Sequence, residues 1–92
     1  MALQFSPAAD EALDRLYAQD EPVAMALCNR LEAWLDLLEQ DSGSSRVRQR
    51  RFASVGLWAI TVQERLGTDW LILWEPAGSD AVIRYIGPAS FT

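Results

Sequence analysis

Four guanidinium groups fall within six residues, Arg46-Val47-Arg48-Gln49-Arg50-Arg51. A guanidinium stays charged at any physiological pH, and its planar fork of donors matches phosphate or carboxylate with two parallel hydrogen bonds. Alternate residues of an extended segment share a face, so Arg46, Arg48 and Arg50 are expected to line one side. Two chemistries suit such a row: contact with RNA phosphates, and docking of an acidic partner. A third reading leaves the four as a solvated loop that offsets nearby acidic helices. A smaller set consists of Arg84 and Tyr85 on a late strand, with Arg65 in a preceding loop. There an arginine can stabilise developing negative charge and a tyrosine can donate a proton. Neighbouring strand residues point to opposite faces, so Arg84 and Tyr85 share a pocket only if the strand is distorted.

The residues that are missing narrow the chemistry. The chain has no histidine, one cysteine (Cys28) and no lysine, all eight basic side chains being arginine. This excludes Ser-His-Asp and Cys-His catalysis, an internal disulfide, and any zinc site built on His or paired Cys. No cofactor and no metal are expected. Glu32, Asp36 and Glu39 recur at helical spacing, which suits a hard cation but suits a solvated helix face far better. Cys28 beside an apolar helical stripe reads as a small hydrophobe. Four tryptophans invite base stacking, but Trp34 lies on an apolar stripe, and Trp58, Trp70 and Trp74 fit packing on a sheet face.

The 92 residues suffice for one domain, 1–92, with one core. The longest apolar runs, Val23 to Cys28 and Trp70 to Trp74, are too short to span a bilayer. The opening residues lack the basic and apolar regions of a signal peptide, so a cytoplasmic protein without a membrane partner is expected. The net charge is −5 and unevenly spread: residues 1–45 hold nine acids and two arginines, and residues 46–92 hold four acids and six arginines. The overall sign argues against generic nucleic-acid binding, in which phosphate neutralisation dominates affinity.

The elements that must position these residues follow from periodicity. Leu3 and Phe5 alternate as a short strand. Ser6-Pro7 opens a helix with a capping serine and a proline in the first turn, and Ala9, Leu13, Leu16 and Tyr17 form its apolar stripe. Asp20, as a cap before Glu21-Pro22, opens a second helix whose stripe is Val23, Ala24, Leu27, Leu31, Trp34, Leu35 and Leu38. Asp41 to Ser45 ends it. Phe52 to Gln63 reads as a strand interrupted near Gly56. Glu64 to Thr68 reads as a hairpin loop, Asp69 to Trp74 as a buried strand, Pro76 to Asp80 as a turn, and Ala81 to Ile86 as a last strand. The order β-α-α-β-β-β implies an α+β fold with a helical hairpin packed on an antiparallel sheet.

This order, the opening Leu3-Gln4-Phe5-Ser6-Pro7-Ala8-Ala9-Asp10-Glu11-Ala12-Leu13, and the segments Leu57-Trp58-Ala59-Ile60-Thr61-Val62 and Ala81-Val82-Ile83-Arg84-Tyr85-Ile86-Gly87 resemble the RelE/ParE toxin superfamily of bacterial toxin–antitoxin systems. The resemblance implies a cognate antitoxin as partner, with the ribosome and its mRNA, or DNA gyrase, as target. Ribonuclease members of that family place basic residues on the central strands, at the start of the third strand and after the fourth. This chain has Ala59 and Thr61, Asp69-Trp70, and Pro88-Ala89-Ser90-Phe91 at those places. The resemblance therefore implies a toxin-like module with altered or lost ribonuclease chemistry. Two alternatives stay open: a ribosome-dependent endoribonuclease with displaced catalytic arginines, and a non-toxic structural or regulatory homodimer formed through the sheet.

Overall fold

Ser6 makes the first corner of the chain and ties it to the last strand. In the structure, a computed structural model describing residues 2–63 and 68–89, its hydroxyl accepts from the Ala9 N–H at 3.2 Å and donates to the Arg84 carbonyl at 3.0 Å. It thereby caps a helix and anchors a strand at once. Strand β1 (Leu3–Phe5) precedes it, and helix α1 (Pro7–Tyr17) follows with Pro7 in the first turn. Helix α2 (Pro22–Gln40) begins at Glu21, whose side chain makes no capping bond, rather than at Asp20. Pro22 supplies the start instead, since its missing N–H is one that a first turn leaves unused.

Four strands follow: β2 (Arg50–Phe52), β3 (Leu57–Val62), β4 (Trp70–Ala77) and β5 (Asp80–Pro88). The sheet order is β1-β5-β4-β3-β2. The α+β expectation of two helices on a sheet holds, with one more strand than the periodicity shows. Residues 52–63 divide into β2 and β3 around a turn in which Gly56 has a positive φ of 71°. The sheet is also mixed rather than wholly antiparallel, because β1 runs parallel to β5, with Leu3, Gln4 and Phe5 beside Ala81, Val82 and Ile83. The last hairpin is tighter than expected. Ala77 pairs with Asp80 across Gly78-Ser79, and only Gly78 has a positive φ, the pattern of a type II′ turn. The loop residues 64–67, and with them the candidate Arg65, lie outside the described residues.

The helices cover one face of the sheet, with α1 packed chiefly on β5. The core between them contains Ala9, Leu13 and Leu16 of α1, and Ala24, Leu27, Cys28, Leu31, Leu35 and Leu38 of α2. They meet Ile60, Val62, Ile72, Trp74, Ala81, Ile83 and Ile86 from the sheet. Fully burying a side chain such as Leu31, Ile72 or Ile83 stabilises the fold by roughly 1.5–3 kcal/mol. Tyr17 and Val23 leave the expected stripes and are about half exposed. Among the described residues no helix is long and apolar enough to cross a membrane.

One irregularity sets the geometry of the second sheet face. Leu73 pairs with Tyr85 but Trp74 pairs with Ile83, so Arg84 is an extra residue in β5. Such a bulge reverses side-chain alternation beyond it. Ala81 and Ile83 face the helices, and after the bulge it is Ile86, not Tyr85, that does so. Tyr85 joins Ala59, Leu71 and Leu73 on the opposite face, with Phe52, Leu57 and Ala89 around them.

Candidate functional site

The arginine-rich segment is fastened from below by Trp74. Val47 is fully buried, and its carbonyl accepts the Trp74 indole N–H at 2.9 Å. Arg48 Nε donates to the Ser42 carbonyl at 2.7 Å, and the Arg46 N–H donates to Ser44 Oγ at 3.1 Å. Gln49 bridges two elements: its amide nitrogen donates to the Arg46 carbonyl, and its amide oxygen accepts from the Thr61 N–H, both at 2.9 Å. Residues 45–47 therefore form a turn, and regular strand begins only at Arg50. The expectation that Arg46, Arg48 and Arg50 line one face of an extended segment is corrected by this turn.

The structure arranges the four arginines around aromatic rings instead. The Arg46 guanidinium carbon lies 6.0 Å from the Trp34 ring centre. That of Arg48 lies 5.1 Å from Trp58 and 5.5 Å from Trp74. Arg51, paired across the ladder with Trp58, lies 4.9 Å from its ring. Arg50 lies 4.9 Å from Phe52, two residues along the same strand. Trp58 and Trp74 belong to the helix-covered face and Phe52 to the opposite one. Arg48 and Arg51 therefore rise beside one face of the sheet edge, and Arg50 beside the other. Ring faces attract such cations by roughly 0.5–1 kcal/mol each at exposed sites, which orders the side chains without consuming their hydrogen-bond donors. Arg15 pairs with Glu11, and Arg84 with Glu75. Among the described residues no carboxylate reaches ion-pair distance of Arg46, Arg48, Arg50 or Arg51. The cluster is thus a charged group of side chains ordered by aromatic rings, which the sequence reading took as separate core residues. The two-residue spacing of Arg50 and Phe52 was the available signal.

The bulge at Arg84 is the strand distortion that turns Arg84 and Tyr85 to the same side of the sheet, opposite the helices, but each is held by a partner of its own. Arg84 binds Glu75 Oε1 through Nη2 at 2.7 Å and through Nε at 3.3 Å. Tyr85 Oη donates to the Pro88 carbonyl at 2.9 Å, and burial pushes its phenol pKa up. Its ring lies over Gly87, where an added Cβ would stand 2.5 Å from Oη and 2.7 Å from Cζ. Gly87 is thus a cradle for the tyrosine ring. A raised phenol pKa and a committed hydroxyl suit a structural clasp better than proton transfer at neutral pH.

On the helices, Tyr17 Oη donates to Glu32 Oε1 at 2.6 Å. That bond, reinforced by desolvation and by the charge of Glu32, pushes the Tyr17 pKa up to about 12. Cys28 is buried, and desolvation followed by the charge of Glu32 pushes its thiol pKa up, which suppresses the nucleophilic thiolate. Among the described residues, no three potential metal-binding side chains of the His, Cys, Asp and Glu types come together.

No protein-family model and no curated protein matches this sequence. The fold is similar to that of a solved structure described as the chromosomal ParDE TA system from P. aeruginosa, with a TM-score of 0.68 and 15% sequence identity. The match covers 96% of this chain and 95% of that one. The RelE/ParE-like fold implied by the sequence resemblance is therefore the fold of this chain.

Proposed function

We propose that this chain is the toxin-like module of a toxin–antitoxin system, which acts through protein contacts and is neutralised by a cognate antitoxin. The observation that carries the reading is the end-to-end likeness to a chain of a ParDE toxin–antitoxin system. The candidate site supports the emphasis on contacts over chemistry. Arg84 is held by Glu75 and Tyr85 by Pro88, whereas the arginine cluster from Arg46 to Arg51 keeps donors available for a partner. The ribonuclease chemistry of the resembled family is, in this reading, altered or lost.

The test is induced expression in a bacterium, with and without the product of the neighbouring gene, combined with primer-extension mapping of translated messages and a gyrase supercoiling assay. Arrested growth, relief by a neighbour that co-purifies with the chain, and intact messages are expected. Discrete cuts within codons that vanish when translation is blocked would instead assign a ribosome-dependent endoribonuclease. Unimpaired growth together with no association would reject the toxin reading.

A further inference from the structure

We propose that a recess at the tip of the helical hairpin binds a small aliphatic amine, with its ammonium head against the carboxylates of Asp20 and Glu32 and its alkyl body against Leu16, Cys28 and Met25. The proposal goes beyond the reading above and does not depend on it. The recess lies where α1 turns into α2, whereas the arginine cluster follows the other end of α2.

The chain makes the recess by turning sharply between two helices. α1 ends at Tyr17, and the N–H groups of Ala18 and Gln19 close back onto the carbonyls of Asp14 and Leu16 at 3.0 and 3.1 Å. Pro22 then starts α2. Met25, Cys28 and Glu32 follow at spacings of three and four, which sets them on one face of that helix. Together with the end of α1 they line a cavity of about 290 Å3, a volume suited to a ligand of few heavy atoms.

The floor of the cavity is apolar. Leu16 and Cys28 are only 4% and 6% exposed, whereas Tyr17 and Met25 at its walls are 51% and 57% exposed. An alkyl chain lying between them would cover apolar surface that now faces water. The Cys28 thiol makes no described hydrogen bond to another residue, so its sulfur is a buried weak acceptor facing this space.

The charge of the lining has one sign. It holds Asp20 and Glu32 and no basic side chain. Among the described residues neither carboxylate has an ion-pair partner, and Arg15, in the last turn of α1, is turned to Glu11 instead. Glu32 Oε1 accepts the Tyr17 hydroxyl at 2.6 Å, which fixes the carboxylate and leaves Oε2 to accept from a ligand. The carbonyl end of α1 adds partial negative charge, and the Tyr17 ring attracts organic cations. A hard metal ion takes roughly six to eight oxygen ligands, which two carboxylates over an apolar floor do not supply. A cation carrying its own apolar body satisfies both halves of the site.

The probes are hexylammonium, ethylammonium, hexanol, magnesium chloride and the tripeptide Gly-Lys-Gly, titrated at pH 7 and constant ionic strength against the full chain by two-dimensional amide NMR. Hexylammonium is expected to shift the amides of residues 16–20 and 25–32. Each fully buried methylene tightens binding about fourfold. With a half-open recess, hexylammonium is expected to bind about tenfold tighter than ethylammonium, and about fivefold or more tighter than uncharged hexanol. Glu32→Gln keeps an oxygen for the Tyr17 hydroxyl and removes the charge; it is expected to weaken hexylammonium about fivefold. Glu39→Gln removes an equal charge from an exposed position on α2 outside the recess and is expected to change binding less than twofold. Should Glu32→Gln fail to fold, the comparison of hexylammonium with hexanol on the unmutated chain decides the matter. Equal affinity for those two, equal losses in Glu32→Gln and Glu39→Gln, or shifts confined to residues outside the recess would each overturn the proposal. Displacement of hexylammonium by magnesium at equal ionic strength would overturn it in favour of a metal site. Tighter binding of Gly-Lys-Gly than of hexylammonium would overturn it in favour of a protein side chain.

Discussion

Trp74→Phe tests whether one indole holds the arginine cluster in place. The substitution keeps an aromatic ring in the core but removes the N–H that reaches the Val47 carbonyl at 2.9 Å. Both residues are fully buried, so water cannot replace the lost donor. An orphaned buried acceptor costs about 1–3 kcal/mol, and the void left by the smaller ring adds roughly 1 kcal/mol. The expected loss is therefore about 2–4 kcal/mol, a large part of the stability of a small domain. With a urea slope of about 1 kcal/mol/M, the unfolding midpoint falls by about 2 M or more. Trp58→Phe is the control: that ring is only partly buried and makes no described hydrogen bond, so its loss is expected to be about 1 kcal/mol. Amide exchange reads the local effect, with residues 46–49 opening faster in Trp74→Phe than in the control. A loss below about 1 kcal/mol, or unchanged exchange in 46–49, would refute the anchoring argument.

Gly87→Ala forces a methyl group against the Tyr85 ring; it is expected to cost about 1–3 kcal/mol, and little in a Tyr85→Ala background, as a double-mutant cycle of thermal unfolding will show. Tyr17 is expected to titrate near pH 12 by ultraviolet absorbance. Because its folded pKa lies above the unfolded value of 10, the stabilisation from its bond to Glu32 is complete below about pH 10 and fades as pH rises through about 12. Tyr17→Phe should flatten unfolding measurements across that window. Arg84→Ala breaks a partly exposed ion pair and is expected to cost less than about 1 kcal/mol, without changing growth arrest; loss of toxicity in a folded variant would restore Arg84 to a functional role.

The helices were legible because their apolar period is long and their proline starts are explicit. Ala9, Leu13, Leu16, Ala24, Leu27, Leu31, Leu35 and Leu38 all fall on expected stripes and are buried. Tyr17 left its stripe because its hydroxyl finds Glu32 at the surface. β2 was hidden because three residues carry too little alternation to register, and because Gly56 marks the turn after β2 rather than a bend within one strand. The parallel pairing of β1 was hidden because it joins residues 78 apart, beyond any local pattern. The bulge at Arg84 left no compositional trace, and it moved Tyr85 from the face that alternation assigns. Of the site, the sequence revealed the arginines but not their rings, since the contacts of Arg46 with Trp34 and of Arg48 with Trp74 are made by tertiary packing.

The parallel seam between β1 and β5 also governs when the molecule can be finished. Leu3, Gln4 and Phe5 find their partners at Ala81, Val82 and Ile83, and the Ser6 N–H reaches the Ile83 carbonyl at 2.8 Å. During synthesis the helical hairpin and then the β2–β3 ladder emerge in order, yet the first strand must wait for nearly the whole chain. Until β5 is made, the segment before Ser6 has no neighbour to bond. The arginine-bearing edge thus belongs to the part of the sheet whose strands are neighbours in the chain, while the opposite edge is sealed last.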